Sequence, residues 1–172
     1  MMADEQDMSL GALYRTHVND LISYAMCLGF DKDTSMDAVH DVFCKVIADK
    51  ELTVRIRDIR TYLFRAVKNR LLDISKTCHE TPMPVEEMPF NIQASVEDEF
   101  IDNEDSELLR SKVERLLATL TDRQREIIYL RYEENLDYEE ISGLMKISEP
   151  SCRKLIHKII SALKKQTHFI FI

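Results

Sequence analysis

Residues Tyr138 to His157, YEEISGLMKISEPSCRKLIH, are the stretch that most restricts how this chain can fold. Their spacing predicts two short helices crossing at a tight turn, a helix-turn-helix, with Ile141, Met145, Ile147, Cys152 and Leu155 sharing one core. Ser142 supplies the small residue needed where the two helices approach most closely. Ser148 suits the N-cap of the second helix, and Pro150 falls in its first turn, where a missing N–H costs nothing. Lys146 occupies the turn position where glycine is usual, at a cost of about 1 kcal/mol that a fold can absorb. The second helix then turns Glu149, Ser151, Arg153, Lys154, His157 and Lys158 away from the core, as a recognition helix does toward a DNA major groove. A plain helical hairpin satisfies the same pattern, so the window alone leaves both readings open.

The rest of the chain is consistent with an all-α fold. Only 3 Gly and 4 Pro in 172 residues leave little material for hairpin turns, and β-branched runs are short. No apolar run approaches the roughly 20 residues of a membrane span, and the opening MMADEQDM is acidic, unlike a signal peptide. The expectation is therefore a cytoplasmic chain without membrane insertion. Cys27, Cys44 and Cys152 sit in helical apolar patterns and read as reduced core thiols, while Cys78-His79 lacks the second pair a zinc site requires. There is no Gly-rich phosphate loop, H-E-x-x-H or nucleophile elbow, so neither an enzyme nor a bound cofactor is expected.

A net charge of −8 looks wrong for a nucleic-acid binder until it is divided along the chain. Residues 77–109 hold 10 acids and no Lys or Arg, giving −10. Residues 52–76 hold 7 bases against 2 acids, and residues 145–168 hold 6 against 1, giving +5 in each case. Two basic zones thus flank an acidic one, and phosphates respond to local charge.

Helical periodicity places Leu13, Tyr14, Val18, Leu21, Ile22, Ala25 and Leu28 on a first helix, from Leu10 to near Gly29. A second, capped by Asp33 or Thr34, carries Ala38, Val39, Val42, Phe43, Val46 and Ile47 inward. A third starts near Arg57, with Ile59, Leu63, Ala66, Val67, Leu71 and Ile74 inward and Arg57, Arg60, Thr61, Arg65, Lys68, Asn69 and Lys76 opposite. After Lys76 the period dissolves into a segment with three prolines and no basic residue, which reads as a flexible linker. Periodicity resumes near Ser106 with Leu108, Leu109, Val113, Leu116, Leu117 and Leu120, and Thr121 then suits the N-cap of a helix over Asp122 to Tyr132. The organisation is two small helical domains, 1–76 and 106–172, joined by an acidic linker over 77–105, with the helix-turn-helix closing the second.

In this order the motifs resemble bacterial RNA polymerase sigma factors of the extracytoplasmic-function (ECF) type, the minimal kind with only sigma domains 2 and 4. The resemblance covers nearly all of residues 10–165. SMDAVHDVFCKVI (Ser35 to Ile47) is similar to the family's A-E-D-x-x-Q-e-x-F helix, which docks on the coiled coil of the polymerase β′ subunit. RDIRTYLFRAVKNRLLDISK (Arg57 to Lys76) is similar to the helix that reads the promoter −10 element. LTDRQREIIYLRYEENLDYEEISGLMKIS (Leu120 to Ser148) resembles the family's approach to its −35-reading helix. There are departures: Met36 stands where Glu is usual, His40 stands where Gln is usual, Thr121-Asp122 changes a helix cap, and the terminal HFIFI has no family counterpart.

The resemblance implies no covalent chemistry. It implies a core-polymerase contact by Asp37, His40, Asp41 and Phe43. In the −10 helix, Arg57, Arg60, Arg65 and Lys68 would neutralise phosphates of an unpaired strand, while Asn69 meets a base edge. Tyr62 and Phe64 either stack an extruded base or are core. For the −35 duplex, Ser148, Glu149, Ser151, Arg153, Lys154, His157 and Lys158 form the reading face, with Arg153 suited to a guanine and Lys154, His157 and Lys158 to phosphates. Arg123 and Arg131 either touch the DNA backbone or form surface salt bridges. The acidic segment is either a soluble tether or, as in the family, a strand threaded near the RNA-exit path, with residues 77–100 mobile in the free chain. Implied partners are core RNA polymerase, promoter DNA in duplex and single-stranded form, and an anti-sigma factor. Two other readings remain: a helix-turn-helix repressor or activator working without polymerase, and a helical protein-interaction adaptor.

Overall fold

The computed structural model describes residues 2–49, 51–78, 84, 88–92 and 104–170, and those residues contain helices and turns but no strand. The chain divides into two compact units, Met1–Pro89 and Phe90–Ile172. The division falls within the stretch expected to be linker. Most of that linker, the Cys78-His79 pair and the terminal HFIFI lie outside the described residues or their side chains.

In the first unit, α1 (Met2–Cys27), α2 (Lys32–Ala48) and α4 (Ile59–Cys78) pack pairwise, and a single turn, α3 (Leu52–Arg55), links the latter two. α1 ends because Gly29 takes φ 91°, a left-handed conformation that glycine adopts without strain. A Cβ at Gly29 would also lie 3.0 Å from Cγ of Pro89, so the site excludes larger residues twice over. α2 is capped by Asp31, earlier than the expected Asp33 or Thr34. Its carboxylate accepts from the Thr34 backbone N–H at 2.9 Å and from the Thr34 hydroxyl at 2.7 Å. These bonds, the backbone one foremost, hold the Asp31 carboxyl below its ordinary range. Ser35, Ala38, Val39, Val42, Phe43 and Val46 then form the buried stripe of α2, while Ile47, expected inward, is exposed at its end. The core closes on an edge-to-face pair of Tyr24 and Phe64 with ring centroids 5.2 Å apart.

In the second unit, α5 (Glu104–Ala118) precedes α6 (Asp122–Ile128), a π-helical turn (Tyr129–Glu133), α7 (Tyr138–Met145) and α8 (Glu149–Ile170). Thr121 caps α6 as expected, in a reciprocal box with Gln124, and Asp137 and Glu140 form a second box on α7. The core contains Ile127, Leu130, Leu136, Ile141, Leu144, Met145, Cys152, Ile156 and Ile159. Along α5, however, Leu108, Leu109 and Val113 are exposed rather than inward. Beyond its end, the Thr119 hydroxyl meets Oε1 of Gln166 on α8 at 3.3 Å.

Candidate nucleic-acid interface

The helix-turn-helix forms as its residues require. Lys146 sits at φ 54° and ψ 44°, the left-handed turn position normally given to glycine, and its N–H reaches the carbonyl of Ser142. The Ile147 N–H reaches the same carbonyl at 3.2 Å, so Ser142 contributes a backbone acceptor at the crossing. Ser148 accepts from the Ser151 N–H at 3.3 Å and starts α8. Ile141, Met145 and Cys152 are buried, and burial pushes the Cys152 thiol up from its ordinary range, which suits a core residue. Ile156 and Ile159 extend that stripe and escaped the sequence reading, although their i+4 and i+7 spacing from Cys152 was available.

On the opposite side of α8, Ser151, Arg153, Lys154, His157 and Lys158 are exposed, and Glu149 is half-buried at its first turn. Arg153 is already engaged. One guanidinium N–H donates to Oε1 of Glu149 at 2.5 Å, which raises the arginine's affinity for its proton, and Cζ lies over the ring of Tyr138 at 4.2 Å. Arg131 also lies over that ring, at 4.7 Å, and donates to the Leu136 carbonyl at 2.8 Å. Arg123 donates to the carbonyl of Met145 at the C-terminal end of α7, at 3.3 Å. The described bonds of Arg123 and Arg131 are therefore to protein carbonyls: Arg123 braces α6 against the end of α7, and Arg131 closes the loop that follows the π turn.

A half-buried arginine anchors the start of the second unit, and the sequence reading missed it. Arg125 donates to the carbonyls of Phe90 at 2.7 Å, Leu120 at 2.7 Å and Leu117 at 3.2 Å, and to Oδ1 of Asp122 at 2.6 Å. Oδ1 of Asp122 also accepts from the Phe90 N–H at 3.0 Å, and this bond is the main cause of a lowered Asp122 carboxyl pKa. The Phe90 ring is buried edge-to-face on Tyr129 at 5.4 Å. Phe90 is thus a docked residue inside the segment expected to be a flexible linker. The available signal was an isolated Phe in an acidic run together with Asp122 and Arg125 on one helix face.

The first unit treats its expected surface residues unevenly. Arg65 and Asn69 are exposed along α4, and Arg57, expected on that helix, is exposed just before its first residue. Arg60 is half-buried, with its guanidinium 3.8 Å from Asp20 and its Cζ 5.6 Å from the centroid of Phe64. Lys68 departs from the expected outward face and is only 5% exposed. Positions 64, 68 and 72 form a second buried row beside 63, 67, 71 and 75, so α4 is covered over a broad arc. Phe64 is wholly buried, which settles its core role, and Tyr62 is half-buried. On α2, Asp37 and His40 are exposed, with Nε2 of His40 2.8 Å from the Tyr14 hydroxyl. Asp41 is paired with Arg70 at 2.8 Å. Phe43 is 3% exposed and packs edge-to-face on Tyr14, because it falls on the apolar stripe of α2, so it is core rather than a contact surface. Cys44, expected in the core, is exposed one residue further on.

Comparison with known proteins covers the same ground. The Sigma-70, region 4 family matches residues 110–163, from α5 into α8. The ECF RNA polymerase sigma factor SigM of Bacillus subtilis (strain 168) is 22% identical over 158 residues, 91% of this chain and 94% of that protein. In fold, the chain is similar to CnrH in its complex with the cytosolic domain of CnrY, with a TM-score of 0.57 and 18% identity over 94% of this chain and 89% of that one. The likeness read from the motifs therefore extends along nearly the whole chain. Among the described residues, no helix is long and apolar enough to cross a membrane, and no cluster of His, Cys, Asp or Glu is arranged to hold a metal ion.

Proposed function

We propose that this chain, homologous to an ECF sigma factor along most of its length, is a transcription initiation factor that binds core RNA polymerase and directs it to promoters. The observation that carries the reading is the open basic face of α8 on a correctly capped helix-turn-helix, within the segment matching sigma-70 region 4. Residues 1–76 act in polymerase and −10 recognition, residues 77–105 connect, and residues 106–172 read the −35 element. Asp37, His40 and Asp41 face the polymerase. Arg57, Arg65 and Asn69 meet the separated strand, with Arg60 at the edge of that surface. On α8, Arg153 reads a guanine, which discriminates by about 1–3 kcal/mol. Lys154, His157 and Lys158 neutralise phosphates, and such contacts make affinity fall steeply with salt. The protein works in the cytoplasm, performs no covalent chemistry, and is held in check by an anti-sigma partner.

The test is transcription by the purified chain with core polymerase on a promoter library, followed by mapping of start sites. Defined starts absent with core enzyme alone are expected, without added ligand, metal or phosphorylation. Duplex binding without any new start sites would favour a repressor or activator working without polymerase. Unchanged mobility of duplex and bubble DNA, with core enzyme present, would favour a protein-interaction adaptor.

A further inference from the structure

We infer that Tyr138 is a specificity-determining positioning residue, whose ring, together with Glu149, holds the Arg153 guanidinium ready for a base contact. The inference rests on α8 being the duplex-reading helix. An arginine on an exposed helix face samples many rotamers, and ordering it on binding costs affinity. Here that freedom is already restrained from two sides. Glu149, one turn earlier on α8, accepts an N–H of Arg153 at 2.5 Å, and the Tyr138 ring lies 4.2 Å from Cζ.

The ring is itself well placed to act as a fixed platform. Tyr138 is the first residue of α7, immediately after the Asp137 cap, where the reciprocal bonds with Glu140 fix the backbone. Arg131 contacts the same ring at 4.7 Å while bonded to the Leu136 carbonyl, so the platform is tied to the preceding turn as well. Stacking uses the face of a guanidinium and leaves its edge N–H groups available. Arg153 commits one of these to Glu149, and the remaining donors can meet the O6 and N7 acceptors of a guanine while the ring contact persists. A group that presets one base reader without touching phosphate should affect preference at one base pair and leave the salt dependence alone.

The experiment uses the full chain with core polymerase on promoter duplexes whose upstream element is randomised, scoring base preference at each position. Arg153→Ala should flatten one position. Tyr138→Leu, which keeps bulk but removes the π face, should lower preference at that same position by about two- to fivefold. Tyr138→Phe should retain it. Glu149→Ala, an alternative that does not disturb the platform, should lower preference at the same position by a similar factor. The salt slope of binding should be unchanged in the Tyr138 variants. Full preference in Tyr138→Leu would overturn the inference, whatever Glu149→Ala does, as would a uniform loss at every position in Tyr138→Phe. If Arg153→Ala flattens nothing, the assignment of Arg153 as base reader fails first and the inference falls with it, an outcome distinct from failure of the Tyr138 and Glu149 variants alone.

Discussion

The two basic zones carry equal charge, +5 over residues 52–76 and +5 over residues 145–168, yet the fold makes them available to very different degrees. On α4, Lys68 is buried, Arg60 lies by Asp20 and over Phe64, and Arg70 is paired with Asp41. On α8, Lys154, His157 and Lys158 stand open, and the described contacts of Arg153 are with its near neighbours Glu149 and Tyr138. The difference follows from how much of each helix is covered. α4, packed on α1 and α2, buries two adjacent rows of side chains, whereas α8, though it meets α5, α6 and α7, buries Cys152, Ile156 and Ile159 on one narrow stripe. A charge tally measures attraction at a distance, and coverage decides which charges can touch a phosphate.

The largest effect of coverage in the first unit is expected at Phe43, on α2, which packs on α4. Phe43→Ala should cost the first unit about 3–5 kcal/mol, while Ile47→Ala, one turn on and exposed, should stay within about 0.5 kcal/mol. Urea denaturation of both variants measures this, and equal stability would mean that Phe43 is surface after all. A second comparison exchanges charge in the two zones. Lys68→Glu should destabilise by at least about 2 kcal/mol, because an acid replaces a buried base. Lys158→Glu should leave the melting temperature nearly unchanged and weaken duplex binding with a shallower salt dependence. If Lys68→Glu affects only DNA binding, α4 is as open as α8.

Smaller effects sharpen the picture. A double-mutant cycle on Asp41 and Arg70, both partly exposed, should give a coupling of about 0.2–1 kcal/mol. Asp37→Lys should instead abolish capture of core polymerase at unchanged stability. A coupling well above that range would make Asp41 structural and remove it from the docking face. The smallest effect is a pH dependence at His17, whose pKa is lowered from its ordinary 6.5 by burial and then by Arg60, against smaller opposing contributions from Asp20 and Asp58. Between the lowered folded value and 6.5 the unfolded chain binds a proton that the folded chain does not. Stability should therefore be highest above that range, fall as pH drops through it, and level off below the folded value. A His17→Asn variant should lose this slope in denaturant midpoints measured across the window.

Much of the architecture was legible because local physics fixes it. The left-handed Lys146, the Ser148 and Thr121 caps and the Ile141–Met145–Cys152 core follow from spacing and capping chemistry that act within a few residues. The cap at Asp31 was missed by a few positions because Asp31, Asp33 and Thr34 all qualify chemically, and only the entry angle of the chain selects one. Leu108, Leu109 and Val113 have an inward-looking period but are exposed, because periodicity identifies an apolar face without identifying what covers it.

By itself, then, the sequence determined that the chain is helical, where the helix-turn-helix turns, and that one helix carries a basic face behind an apolar stripe. Tertiary structure decided which charges remained outside. Lys68 went inside because α4 is covered over two adjacent rows of side chains. Phe90 docked on Tyr129 because Asp122 and Arg125 satisfy its backbone from 32 and 35 residues away. Arg153 came to rest over a tyrosine on the neighbouring helix. Those outcomes depend on contacts between residues distant in the chain, and no short-range period encodes such contacts.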